Sequence, residues 1–279
     1  AKGPLVKAKA GIKAGMVIEK IDGKPIRKDE NYYPLLNHKV DQTVLLTITD
    51  PEGKGDEKTR DVTIKAISWR EQGDLLYDRW VELRRQDTER LSGGRLGYAH
   101  VRGMNSRAFR DAFADILGRY SDKEGLVIDT RFNSGGNLTE FLIDFLNGKQ
   151  YARSVPRGQV VGRAPDMSWS RPSIVVQNEG NYSDAHYFPW VYRELGIGKL
   201  VGTQVPGTAT AVWWETLQDR SIYFGIPEVG VMSNRGTLLE NDNLEPDVYV
   251  DNEPGVAPTG RDQQLEKAVE VLLKDIDGQ

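Results

Sequence analysis

A chain of 279 residues, 38% hydrophobic and 28% charged, is long enough for one large domain or two ordinary ones and has the content of a soluble globular protein. Its formal net charge of −4, with cations interspersed among acids, excludes the basic footprint of a nucleic-acid partner, and no apolar run is long enough for membrane insertion. The absence of cysteine excludes a thiol nucleophile, disulfides and cysteine-ligated zinc, and leaves the compartment open between cytoplasm and periplasm, with the cytoplasm favoured. The segment from Ala1 to Gly11 has no apolar signal core and opens in the middle of what reads as a domain, so the chain reads as a fragment.

Residues 3 to 68 carry short alternating runs at Met16 to Ile21, Thr43 to Thr49 and Arg60 to Ile67. Asp22-Gly23 is a tight hairpin signal, and Asp50 to Gly55 is a second turn cluster. The run from Ala10 to Pro25 resembles the stretch of a PDZ domain that passes from a short helix into a strand and hairpin. The resemblance implies a partial PDZ-like domain over 1–68, whose leading strand and carboxylate-binding loop would precede Ala1. Residues 69–92 are charged, with Leu75, Leu76, Trp80 and Leu83 at helical spacing, and are expected to form a helical connector.

From residue 93 to 279 the pattern alternates. Strands are expected at Arg95 to Val101, Gly125 to Asp129, Ser173 to Gln177 and Gly198 to Gly202. Helices are expected at Asn105 to Tyr120, Leu138 to Leu146, Asp184 to Leu195 and Gln263 to Ile276. Such alternation implies βαβ units around a mostly parallel sheet, hence an α/β core.

Two strand ends are elaborate. After Gly125 to Ile128 comes Asp129-Thr-Arg131-Phe-Asn-Ser-Gly135-Gly136, where paired glycines let backbone N–H groups approach a ligand. After Ile174 to Val176 comes a polar turn into Ser183-Asp184 and a helix. Ligands of open α/β sheets collect outside the carboxyl ends of strands, so both loops are expected to face one cleft. A serine at such a helix start can attack a carbonyl, with nearby N–H groups holding the oxyanion.

These motifs, with Asn178-Glu179, Leu195 to Thr203 and Glu240 to Val248, resemble the C-terminal core of the tricorn protease family, a branch of the tail-specific C-terminal processing serine peptidases. The resemblance implies a crotonase-like α/β peptidase core built as a βαβ spiral. It implies Ser183 as nucleophile, the N–H of Asp184 with that of Gly135 or Gly136 as oxyanion hole, and Glu240 as the carboxylate that orients a histidine through an intervening serine. That Ser-His pair would lie before the PDZ domain, outside this chain, so the fragment is expected to be inactive alone. Peptides are the implied substrates, no cofactor or metal is implied, and self-association is plausible because family members form rings.

The sister branch of the family uses a lysine about 25 residues after the serine as base. That position falls in Val205 to Ala211, which holds no lysine, and Lys199 comes too early. His38 reads as a solvated loop residue, His100 as a sheet residue, and His186 as standing beside its helix. Asp129 and Arg131 read as structural. Tyr182, Tyr187, Phe188, Trp190, Trp213 and Trp214 read as core and cleft wall. The rival readings are a noncatalytic peptide-binding module and a crotonase-like hydratase, which would need acyl-CoA contacts.

Overall fold

The computed structural model describes residues 3–53, 55 and 58–278, so Ala1, Lys2 and Lys54 of the readings above lie outside the described residues. It divides into two compact units, Ala1–Glu82 and Leu83–Gln279.

The first unit opens with helix α1 (Pro4–Lys7) and contains strands β1 (Val17–Ile21), β2 (Lys24–Pro25), β3 (Thr43–Thr49) and β4 (Thr59–Lys65). They form an antiparallel sheet in the order β2-β1-β3-β4. The expected hairpin at Asp22-Gly23 is present: both residues have positive φ, 48° and 75°, which matches a two-residue turn to the strand twist. Asp22 also accepts a hydrogen bond from the Leu45 N–H at 2.8 Å and pairs with Lys39 at 3.0 Å, stitching the turn to β3. Alternate residues Val44, Leu46 and Ile48 of β3 point inward and pack with Ile21 and Val62. Each such burial contributes about 1.5–3 kcal/mol, which fixes the strand's register.

Helix α2 (Trp69–Leu91) starts with a reciprocal cap, in which Ser68 Oγ accepts from the Glu71 N–H and Glu71 Oε2 accepts from the Ser68 N–H. The division between the two units falls inside this helix.

The second unit continues with β5 (Leu96–His100), α3 (Ser106–Ala114), β6 (Gly125–Asp129), α4 (Thr139–Leu146), β7 (Ala152–Ser154) and β8 (Gly162–Ala164). It then adds β9 (Ser173–Gln177), α5 (Asp184–Glu194), β10 (Lys199–Gly202), β11 (Ala211–Thr216), β12 (Tyr223–Val229), β13 (Val248–Tyr249) and α6 (Gln263–Asp277). The main sheet is parallel, in the order β13-β10-β9-β6-β5. All residues of β6 and β9 are buried, as central strands covered on both faces require. Helix α6 packs on β6, β9 and β10, and α4 packs on α5.

Three expectations change. The helix expected to run to Tyr120 ends as α-helix at Ala114 and continues as a π turn over Asp115–Arg119. Two short hairpins, β7–β8 and β11–β12, appear where no strand was expected. Finally, Trp213 and Trp214 are 56% and 64% exposed on the second hairpin, not in the core, because that hairpin joins no other sheet among the described residues.

Candidate active site

The β6 end is anchored by a buried ion-pair network. Arg131 holds Asp129 through Nη2 at 2.6 Å and Nε at 3.0 Å, and reaches Asp262 at the start of α6 at 2.9 Å. Tyr98 on β5 donates its hydroxyl to Asp129 at 2.8 Å. Burial pushes the Asp129 pKa up, but the charge and hydrogen bonds of Arg131 outweigh it and hold the carboxyl below its ordinary range. These two residues therefore brace the loop from inside.

The loop beyond them turns on Asn133, which is fully buried. Its Nδ2 donates to the Val101 carbonyl at 2.8 Å, and its Oδ1 accepts the N–H of Gly135 at 2.9 Å. Gly135 and Gly136 have φ of 89° and 144°, and neither has room for a side chain. A Cβ at Gly135 would sit 2.7 Å from the Cβ of Ser183, and one at Gly136 would sit 2.0 Å from the Met104 carbonyl oxygen. The Met104 N–H donates to Gly135 O, and the Asn137 N–H donates to Met104 O. In such a parallel bridge the N–H of the residue between, Gly136, points away from the bridging strand. It has no acceptor among the described residues.

The second loop brings Ser183 to the start of α5 with φ 56° and ψ −122°, a backbone conformation that non-glycine residues rarely adopt. Asn181, buried beneath the turn, donates to Thr130 Oγ1 and to the Ala185 carbonyl, and Tyr182 donates its N–H to Asn133 O. The serine's own N–H donates to Thr208 Oγ1 at 3.0 Å. Ser183 is half-buried, so its hydroxyl is reachable. The N–H of Asp184 opens the helix and has no acceptor among the described residues, the usual state of a first-turn amide.

The side chain of Asp184 does something the sequence reading missed. Its carboxylate accepts from the N–H groups of Leu138 and Thr139, at 2.5 and 3.2 Å, and from Thr139 Oγ1 at 2.7 Å. It thereby caps α4 from α5 and ties the glycine loop to the serine turn.

Glu240 accepts the Thr210 N–H at 2.9 Å. Its neighbour Asn241 donates to the carbonyl of Gly207, whose missing side chain lets the two segments touch. Ser183 and Glu240 therefore flank one short segment, gripping it at Thr208 and Thr210. Thr208 stands 25 residues after Ser183. Where the sister branch would place its lysine, this chain presents a hydroxyl bonded to the serine's backbone. Nothing in the residue pattern marked Asn133, Thr208 or Thr210, because each acts on a backbone group brought near only by folding.

The histidines do not join the serine. His38 is an exposed residue of the first unit. His100 has a buried ring beside Asp129, and burial pushes its pKa down to about 4 against the opposing charge of Asp129. His186 is fully buried, and among the described residues neither ring nitrogen meets a hydrogen-bond partner in good geometry, the backbone of Asp242 being the neighbouring polar group. Burial also lowers its pKa, partly offset by the carboxylates of Asp242 and Glu240.

A parallel α/β sheet with a strained serine opening a helix, and a glycine pair pressed against it, has the form of a hydrolase core. The chain belongs to peptidase family S41, whose model matches residues 95–250, and the model of the Tricorn protease PDZ domain matches residues 1–68. The Tricorn protease of Thermoplasma acidophilum is 27% identical over 94% of this chain and 24% of its own length. The putative Tricorn-like protease C-terminal subunit of Sulfurisphaera tokodaii is 30% identical over 99% of this chain and 31% of its own. The crystal structure of the tricorn protease superposes with a TM-score of 0.85 at 26% identity, covering 99% of this chain and 26% of that one. Mature CPAF, with a TM-score of 0.52 at 15% identity, shares the fold. The chain thus spans about a quarter to a third of the length of the curated tricorn relatives it matches.

Proposed function

We propose that this chain is the serine peptidase core of a larger enzyme, hydrolysing peptide bonds through an acyl-enzyme on Ser183. One observation supports the reading: Ser183 opens α5 in a strained backbone conformation pressed against Gly135, and the N–H groups of Asp184, next in the chain, and of Gly136, in the adjoining glycine loop, have no acceptor among the described residues. Gly135 is the weaker candidate because its N–H is already bonded to Asn133. Membership of a peptidase family supports the reaction class, and the tricorn relatives support peptides as substrates.

In the proposed reaction Ser183 Oγ attacks the scissile carbonyl carbon while a base takes the hydroxyl proton. The carbonyl oxygen becomes an oxyanion held by the two N–H groups, each worth about 3 kcal/mol in the barrier. Collapse breaks the C–N bond, the amine leaves with the proton from the base, and water then releases the acid from Ser183 by the same steps in reverse. Glu240, fastened beside the serine through Thr210, is the carboxylate that polarises the site.

The base is assigned to a histidine outside these 279 residues. Neither buried histidine of the catalytic unit presents a nitrogen to Ser183, and no lysine stands near it in the segment that grips its N–H. On this reading residues 1–68 are a PDZ-like domain, 69–92 a connector and 93–279 the catalytic core. A fluorophosphonate probe on the polypeptide extended upstream should modify Ser183 alone, as mapped by peptide mass spectrometry. Labelling of another residue, or undiminished labelling of Ser183→Ala, would overturn the assignment.

A further inference from the structure

Charge is unevenly spread along this chain. Between α4 and β9 stand Lys149, Arg153, Arg157, Arg163 and Arg171 with the single acid Asp166, although the formal net charge of the whole is −4. Strands β7 and β8 of this segment pair only with each other among the described residues, and their register sets Arg153 directly opposite Arg163. Partners in an antiparallel register project from the same face, and like charges so placed destabilise the pair. Among the described residues no ion pair or side-chain hydrogen bond reaches Lys149, Arg153, Arg157 or Arg163 to relieve it.

A third guanidinium adjoins the pair. Arg171 is held 4.0 Å over the ring of the buried Trp169 and donates to the Tyr120 carbonyl at 3.5 Å. Burial, and then the charge of Arg163, pull its pKa down, with Asp122 opposing, so Arg163 and Arg171 feel each other's field. Backbone bonds from the Gly148 N–H to Trp169 O and from the Trp169 N–H to Phe145 O close the base of the segment at 3.2 and 2.7 Å. Alternation carries the arginine face on to Tyr151 and Val155 along one strand and to Val161 along the other, 79%, 51% and 64% exposed.

We propose that this face of the β7–β8 hairpin binds an extended peptide segment with two carboxylates at alternate positions, a Glu-X-Glu pattern flanked by apolar residues. Alternate side chains of an extended peptide stand on one side about 6.7 Å apart, near the spacing of two neighbouring guanidinium groups, and each carboxylate can form a bidentate pair. The ligand's charge removes the repulsion between Arg153 and Arg163, and its apolar residues cover Tyr151, Val155 and Val161. A nucleic acid or an anionic membrane would meet the acidic excess of the rest of the chain, so a short acidic segment is the occupant that charge selects. The inference is independent of the role of Ser183.

The test is fluorescence anisotropy of the 279-residue chain with a labelled, C-terminally amidated peptide, Val-Glu-Val-Glu-Val, beside its Val-Gln-Val-Gln-Val counterpart. The glutamate peptide should bind at least about tenfold more tightly, and should lose most of that advantage as salt rises from roughly 50 to roughly 300 mM. Arg153→Glu should abolish the preference, whereas Lys28→Glu, the same change of net charge at an exposed site of the first unit, should leave it intact. Failure of the glutamate peptide to bind, equal binding of the two peptides, or a preference that survives Arg153→Glu overturns the proposal. Tighter, Arg153-dependent binding of duplex DNA or phosphatidylserine vesicles also overturns it, by assigning the face to that class of surface. Where Arg153→Glu does not fold, a photo-crosslinking glutamate peptide on the unaltered chain should attach within residues 149–171, and attachment elsewhere overturns the proposal.

Discussion

Ser183 and Thr208 are joined by a hydrogen bond from the serine's backbone N–H to the threonine hydroxyl, 3.0 Å long and spanning 25 residues. That bond holds the most strained residue of the site in place. A non-glycine residue at such φ and ψ costs about 1–3 kcal/mol, and the surroundings must over-determine it for it to persist. Thr208→Val removes the acceptor at nearly constant volume and should lower stability by about 1 kcal/mol, with Thr208→Ser restoring it. Urea unfolding of the three proteins checks this, and an unchanged midpoint for the valine variant would show that the bond carries no weight.

The same strain predicts an inverted pair at position 183. Ser183→Ala keeps the Cβ and should unfold close to the wild type. Ser183→Gly relieves the strain, offset by about 0.4–1 kcal/mol of added unfolded-state entropy, and should be the more stable of the two. A glycine variant less stable than the alanine variant would argue that the conformation is not strained.

The clamp from Asp184 to α4 makes its carboxylate a positioning group, separate from its backbone N–H. Asp184→Ala leaves the N–H groups of Leu138 and Thr139 without their acceptor and should cost about 2 kcal/mol. Asp184→Asn keeps one acceptor oxygen and should recover part of that. Thermal unfolding of both variants is the measurement.

Acid should loosen the second unit in two stages. The unfolded His100 ring takes a proton below about pH 6.5, but the folded ring, depressed by burial, takes it only near 4. In that window the unfolded state binds more protons, so stability is lost as pH falls, by up to about 3 kcal/mol over the full range. The facing charges are Asp129, which favours the proton, and Arg131 and Arg102, which oppose it. Asp129 adds a second loss at lower pH, because its folded pKa lies below the unfolded value and its contribution vanishes as pH falls through it. His100→Gln should flatten the stability profile between pH 6.5 and 4, and an unaltered slope would contradict the buried, neutral ring.

Much of this architecture was legible in the residues themselves. The apolar runs Leu126 to Ile128 and Ile174 to Val176 can bury both faces only as central parallel strands, and Asp22-Gly23 can turn a hairpin because both tolerate positive φ. The expected helix starts near Asn105 and Gln263 hold because Asn105 and Asp262 accept first-turn N–H groups of α3 and α6. What stayed hidden depends on contacts between distant segments. Thr208, Thr210 and Asn133 are ordinary polar residues until the fold brings a backbone N–H to them. Trp213 and Trp214 misled for the opposite reason, since large apolar side chains normally mark a core and here stand on a free hairpin.

On the proposed reading Ser183, its neighbouring N–H groups and Glu240 make up most of a peptidase site whose base comes from elsewhere in the polypeptide. The direct measurement is peptide turnover by the 279-residue chain beside the same chain extended upstream, each with Ser183→Ala. The account predicts Ser183-dependent hydrolysis by the extended protein and at least about a thousandfold less by the shorter one, the scale of losing a general base. Comparable Ser183-dependent turnover by the 279 residues alone would contradict it and return His100 or His186 to the reaction.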